Sequence, residues 1–291
     1  MNEKRLINLN YLNILEIVGE GAIDLLQGQL TCDIEKVSSE NPILGAICNV
    51  KGRLISSFVL VKPSKKNLKK FWLIGPKLMM QKTQIVLEKY SPFYQVNMSI
   101  LEDKELYGAE SKTLEELFPE YNHDDNQYVY EEGLILGYLD KKFKLIITNK
   151  NNLLHDSTEI SSDLSDWSLD NFFNKDVEIT EELSEKLTPH EINYDVTERV
   201  DFEKGCYTGQ EIVARMQYRA KNLPRLYLAT GSNDLTEANM PIKDNSDKRI
   251  GTVIKVLNHS NGNYALISIK VGELEKSYKT SEGRTLLTIN K

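Results

Sequence analysis

The chain has 291 residues, 40% hydrophobic and 27% charged, with 36 Lys and Arg against 43 Asp and Glu for a formal net charge of −7. That is the composition of an ordinary globular protein with room for two or three domains, and its negative balance argues against broad phosphate-backbone binding, which needs a basic face. Cys32, Cys48 and Cys206 lack C-x-x-C or zinc-finger spacing, and neither a signal peptide nor a membrane-length apolar run is visible, so the expectation is a cytoplasmic protein with no bound metal, disulfide framework or membrane partner.

Residues 11–18 alternate loosely and predict a strand closed by Gly19-Glu20-Gly21. Ile23, Leu26 and Leu30 share a face, which predicts a short helix over 22–30. Beside Gly28, Gln27 and Gln29 either cap that helix or hydrogen-bond a ligand amide. The apolar runs 43–49 and 54–61 flank Val50-Lys51-Gly52-Arg53, a hairpin pattern. The basic stretch 62–70 reads as a solvated loop tip. A strand over 71–74, a helix over 77–90 and a strand over 96–101 follow, which suggests helices on one side of an antiparallel sheet.

The pattern then restarts, with strands expected at 106–109, 128–130, 134–138 and 143–148 and a helix at 113–118. His123-Asp124-Asp125-Asn126 reads as a loop, because consecutive residues rarely converge on one ion. The helix expected over 163–174 contains Trp167, either a core residue or an aromatic wall for a flat ligand. Beyond Pro224, short apolar runs at 226–230, 250–257, 264–269 and 285–289 with glycines near their ends suggest a small barrel, and 232–248 an exposed loop.

Lys204-Gly205-Cys206-Tyr207-Thr208-Gly209-Gln210-Glu211 gathers a cation, a thiol and two glycines. Thr208 and Glu211, just ahead of Ile212, Val213 and Met216, form a capping-box pattern. Cys206 would then lie outside a helix N-terminus, where unpaired N–H groups, the positive dipole end and Lys204 favour the thiolate; the alternative is an inert buried cysteine. Gly205 and Gly209 permit positive φ or close approach. Upstream, His190 is a proton partner for Cys206 or a turn cap. Downstream, Arg215, Arg219, Lys221 and Arg225 form a basic patch, with Arg215 and Arg219 on one helix face, suited to an anion or simply solvated.

This octapeptide, continued by Ala214-Arg215 and Arg219, resembles the signature of the YgfZ family, whose fold is related to the folate-dependent T-protein (aminomethyltransferase) of glycine cleavage. Gln27-Gly28-Gln29 with Thr31-Cys32-Asp33, the Lys51-Gly52 turn, and Pro189, His190 and Asn193 fit the same family. The resemblance implies an α+β, T-protein-like fold: an α+β unit over 1–101, a second over 102–222 carrying the signature, both with antiparallel sheets, and a C-terminal β-barrel over 223–291. It implies a folate-binding accessory protein that supports assembly or repair of iron–sulfur enzymes, including tRNA-modifying ones. Cys206 and Lys204 would form the reactive pair; Trp167, Tyr207, Arg215, Gln27, Gln29 and Asn193 would surround tetrahydrofolate or a one-carbon derivative. Expected partners are folate and iron–sulfur enzymes or assembly proteins, with tRNA disfavoured as a tight ligand by the net charge.

Three departures bear on that reading. The acidic pair that the T-protein carries after its hairpin glycine corresponds to Ser56 and Ser57, and a hydroxyl cannot serve as a carboxylate base near neutral pH. Aminomethyl transfer is therefore disfavoured; a folate-dependent one-carbon transferase and a non-catalytic module for an assembly partner or tRNA are the alternatives. The family's acid-and-glycine segment after Trp167 falls on Phe173-Asn174-Lys175, and a second pocket tryptophan of some members corresponds to Leu12.

Overall fold

In the computed structural model, which describes residues 5–64, 69–122, 124–130, 133–150, 158–220, 222–231, 238–244, 246–259, 262–270, 277–280 and 285–288, the apolar runs assemble into two open sheets and a closed barrel. Lys65, Lys66, His123, Lys221 and residues 232–237 lie outside the described residues. Strands β1 (Arg5–Asn8), β7 (Lys104–Glu110), β8 (Gln127–Tyr130), β9 (Gly133–Leu136), β10 (Phe143–Asn149) and β11 (Glu159–Ser161) form a six-stranded sheet in the order β11-β1-β7-β10-β9-β8. Its β1 and β11 pair in parallel. Strands β2 (Leu12–Gly19), β3 (Ile43–Cys48), β4 (Leu54–Val61), β5 (Lys70–Pro76) and β6 (Val96–Ile100) form an antiparallel five-stranded sheet in the order β3-β4-β5-β2-β6.

Period-two alternation decides which core each strand feeds. The central strand β4 is buried along its whole length. Val59 and Val61 face the other sheet and pack with Ile14, Ile74, Leu145, Ile147 and Trp167, so the two sheets share a core. Phe58 and Leu60 face the opposite way, toward α1 (Ala22–Gln29) and α2 (Lys77–Glu88). The outer face of the six-stranded sheet, Tyr107, Ile135 and Ile146, is covered by Leu114 of α4 (Ser111–Leu117). A one-turn helix, α3 (Ser91–Tyr94), links α2 to β6.

Chain order and spatial order interleave. The first strand, β1, joins β7 and β11 rather than its sequence neighbours. After α5 (Ser165–Phe173), a strand-free segment returns to the five-stranded sheet, burying Val177, Ile179, Leu183, Leu187, Ile192 and Tyr194 in the core of Phe58 and Leu60. Its backbone follows β4: Leu54 donates to Leu187, Glu185 to Leu54, and the Ile179 N–H to the Ser57 hydroxyl at 3.0 Å. It ends in α6 (Gln210–Arg219).

The barrel strands β12 (Pro224–Gly231), β13 (Pro241–Lys243), β14 (Arg249–His259), β15 (Gly262–Lys270), β16 (Ser277–Thr280) and β17 (Thr285–Thr288) close in the order β12-β15-β14-β13-β16-β17. Within the expected exposed loop 232–248, β13 is a correction: Ile242 is fully buried in the barrel core and pairs with β14 and β16. A three-residue strand carries no alternation to read. No helix among the described residues is long and apolar enough to cross a membrane.

Candidate functional site

Residues 201–209 form a loop without helix or strand, anchored at both ends. The Asp201 carboxylate accepts the backbone N–H groups of Glu203 and Lys204 at 2.8 and 3.2 Å. Lys204 then turns inward: its ammonium donates to the carbonyls of Gln27 and Leu30 at 2.7 and 2.6 Å, the open acceptors at the C-terminal end of α1, whose last turn has no basic residue of its own. Burial lowers the Lys204 pKa, opposed by Cys32, Asp33 and Asp201. The cation expected beside Cys206 thus binds the C-terminal carbonyls of α1, on the side of Cys32.

The capping box expected at Thr208 and Glu211 does not form. Helix α6 starts at Gln210 behind Gly209, whose φ is +87° and which makes no side-chain cap. Thr208 instead donates its hydroxyl to the Gln29 side chain at 3.0 Å, docking the loop on α1. A capping box does occur earlier, at Thr188 and Glu191, where Pro189–Ile192 makes a 3-10 turn. Gly209 presses on the β3–β4 hairpin so closely that a Cβ there would lie 2.4 Å from the Asn49 carbonyl oxygen. Gly205, by contrast, has open space around it.

Between these anchors Cys206 is exposed, whereas Cys32 and Cys48 are sealed in the core and burial pushes both of their thiols up to about 12. Tyr207 packs beneath the loop, 6% exposed, with the Lys204 ammonium 5.2 Å from its ring and no hydrogen-bond partner for its hydroxyl. A groove of about 490 Å³ runs up to this loop, with Cys32, Asp33, Tyr138, Asp201 and Glu203 in its walls.

A second polar centre lies between the two open sheets. Asp176 is buried and binds the Lys141 ammonium with one oxygen and the Arg199 guanidinium with the other; Arg199 also donates to the Phe58 carbonyl at 3.2 Å. Burial raises the Asp176 pKa, but Lys141 and Arg199 outweigh it and hold the carboxyl well below the usual range. Asp176, Arg199, Glu178, Ser57 and Tyr138 line a cavity of about 20 Å³, with Leu12 in the same wall. That space holds roughly one water. Tyr138 is common to cavity and groove.

The remaining expected residues are distributed between these centres and the scaffold. Trp167 is 1% exposed and is not among the cavity-lining residues; its indole N–H donates to the Tyr11 hydroxyl at 2.9 Å, which in turn donates to both Glu178 oxygens at 3.1 and 3.2 Å. Gln27 bonds Asp33 and the Ile34 N–H, both at 2.9 Å, holding the turn after α1. Asn193 exchanges two bonds with Leu226 of the barrel. Arg215 and Arg219 lie exposed on α6, opposite buried Val213. His190 is fully buried, pairs with Gln217 at 3.0 Å and stands 6.2 Å from the Phe202 ring. Sequence reasoning missed Lys141, Asp176, Glu178 and Arg199. The trace they leave is an acid at every second position of Asp176-Val177-Glu178-Ile179, where the intervening residues are buried.

No protein-family model matches the chain. The tRNA-modifying protein YgfZ of Colwellia psychrerythraea is 30% identical over 240 residues, which are 77% of this chain and 71% of that protein. The protein of the same name from Aliivibrio fischeri is 27% identical over 278 residues, 92% of this chain and 85% of its own length. Among solved structures, the glycine cleavage system aminomethyltransferase T of Bartonella henselae superposes with a TM-score of 0.76 at 14% identity, over 99% of this chain and 85% of that one, a likeness of fold. With the signature loop in place, the T-protein-like architecture around it and relatives of this similarity along most of its length, the chain belongs to the YgfZ family.

Proposed function

We propose that this chain is a folate-binding accessory protein that supports iron–sulfur enzymes, tRNA-modifying ones among them, through the thiol of Cys206. The observation that carries the reading is the contrast among its cysteines: Cys206 is exposed while Cys32 and Cys48 are sealed. Its loop is held by Lys204 and Thr208 on α1 and by Gly209 against the β3–β4 hairpin, so the thiol is presented from a fixed base. Accessibility is the first condition for exchange with a partner thiol or transient metal ligation. The neighbouring groove, at about 490 Å³, falls in the range of small-molecule sites, roughly 300–1,000 Å³.

An accessory role fits better than aminomethyl transfer. Ser56 shares a hydrogen bond with Thr83 at 2.5 Å and Ser57 accepts the Ile179 N–H, so both hydroxyls are engaged inside the fold and neither position offers a carboxylate base. Folate, when bound, would supply one-carbon chemistry, with Gln27, Gln29 and Asn193 serving to fix the surrounding walls. With a net charge of −7, a link to tRNA would run through client enzymes rather than through tight RNA binding.

The test is Cys206→Ala expressed in cells that lack the native gene. Iron–sulfur-dependent tRNA modification should fall to the level of the empty strain, while the variant's folding stability stays within about 0.5 kcal/mol of the parent, as for an exposed position. Full support of those enzymes by Cys206→Ala would overturn the thiol role.

A further inference from the structure

We infer that the groove beside the Cys206 loop docks a lysine- or arginine-bearing segment of a partner protein, one that adjoins the partner's own cysteine, and so selects which partners reach the thiol. The inference rests on the thiol reading above and is independent of the folate reading.

The groove is apolar at depth and acidic at its edge. Pro42, Leu44 and Val200 line it as buried residues. Its charged lining is four carboxylates, Asp33, Glu198, Asp201 and Glu203, against one ammonium, Lys36. That ammonium bonds Asp201 at 2.6 Å and also lies in the field of Asp33 and Glu198, so one cation serves three acids. Glu203 is exposed, and no cation among the described residues pairs with it. Lysine and arginine match this cross-section: their methylene stems pack on apolar surface while their charged heads stay at the wet edge. The volume of about 490 Å³ leaves room for such side chains.

The acids point outward because of what the same segment buries. Arg199 turns in to Asp176 and Lys204 to the α1 carbonyls, while the Asp201 N–H donates to the Thr31 carbonyl at 2.8 Å. Glu198 and Glu203 are left exposed on a backbone pinned from below. Three residues separate Glu203 from Cys206, a reach of no more than about 11 Å. A partner that brings a sulfur to Cys206 therefore lies over or beside Glu203, where negative charge on it is repelled and positive charge attracted. On the other side of the thiol, the first turn of α6 adds a further acid, Glu211; the cations Arg215 and Arg219 stand one and two turns beyond it.

The experiment uses two matched peptides, each with one cysteine activated as a mixed disulfide with nitrothiobenzoate, followed in one by lysines and in the other by glutamates. In the exchange the Cys206 sulfur bonds the peptide sulfur, the peptide's S–S bond breaks, the coloured thiolate leaves with the electron pair, and the thiol proton goes to solvent. The full chain, Glu198→Gln/Glu203→Gln and, as a blank, Cys206→Ala are compared. The lysine peptide should react with the parent about tenfold or more faster than the glutamate peptide in about 10 mM salt, where the Debye length is about 30 Å, and the ratio should approach one in about 1 M salt, where it is about 3 Å. In the double variant the low-salt ratio should fall about threefold or more. Because the ratio is taken within each protein, it is insensitive to a change in the thiol itself. Equal rates for the two peptides with the parent, a faster glutamate peptide, or a ratio unchanged in the double variant overturns the inference and leaves the thiol reading standing. So does a Cys206 that reacts with iodoacetamide but with neither peptide. A Cys206 inert to iodoacetamide and to both peptides overturns the thiol reading and the inference with it.

Discussion

At position 209 two independent constraints demand glycine. The backbone is left-handed, and the space a Cβ would fill belongs to the Asn49 carbonyl, a backbone atom that cannot swing away. Gly209→Ala should therefore cost about 2–4 kcal/mol, the left-handed penalty plus the collision, and lower the urea midpoint with an unchanged slope. Gly205→Ala, with nothing within 4 Å of its Cβ and no positive φ, should leave that midpoint in place. Equal effects at the two positions would contradict this account. In the sequence the two glycines look alike, and so do the prospects of their neighbours. The residue types of the signature were legible; where each side chain turns was not. Lys204 and Thr208 take partners from α1, more than 170 positions away along the chain, which no local pattern records.

Among the elements, the Asp176 cluster joins pieces that are distant in sequence: Lys141 just before β10, Asp176 just after α5, and Arg199 in the segment that returns to β4. Breaking such a buried pair from one side strands the remaining charges, so Asp176→Asn should cost about 3–5 kcal/mol in denaturant unfolding at neutral pH. The acid limb supplies a second readout. The folded-state pKa of Asp176 is depressed, so its contribution is complete above the ordinary carboxylate value of about 4 and is lost as pH falls below it toward the folded value. The parent should lose more stability than Asp176→Asn on acidification through that window; parallel curves would show that the cluster carries no such linkage. Longer elements were legible: α1, α2, β3, β4 and β10 stand within a few residues of their apolar patterns. The short strands β1, β11 and β13 were not, because three or four residues show no period and their pairing is set by distant partners. The Asp176 cluster escaped for the same reason, since charge compensation is a property of the assembled sheets.

For the whole molecule, the seam between barrel and body joins an apolar core, to which Leu226, Ile254 and Leu266 of the barrel contribute, with a few defined polar contacts. Arg225 of β12 donates to both oxygens of Asp195 at 2.7 and 2.6 Å, Asn193 exchanges its amide with the Leu226 backbone, and Phe173 meets Tyr264. The Asp195 side chain is only 5% exposed, so removal of Arg225 leaves a buried carboxylate without its cation. Arg225→Ala should cost about 2–4 kcal/mol, somewhat below the range for fully sealed pairs because a quarter of the Arg225 side chain is open to water. That loss falls at the seam, so limited proteolysis should cut the variant faster near the start of the barrel while the two open sheets, which share their own core, remain protected. The signature loop is anchored elsewhere, on α1 and the β3–β4 hairpin. The reaction rate of Cys206 with a thiol reagent should therefore be the same in Arg225→Ala as in the parent. A faster thiol would mean that barrel and loop open together, and that the barrel helps to control access to Cys206.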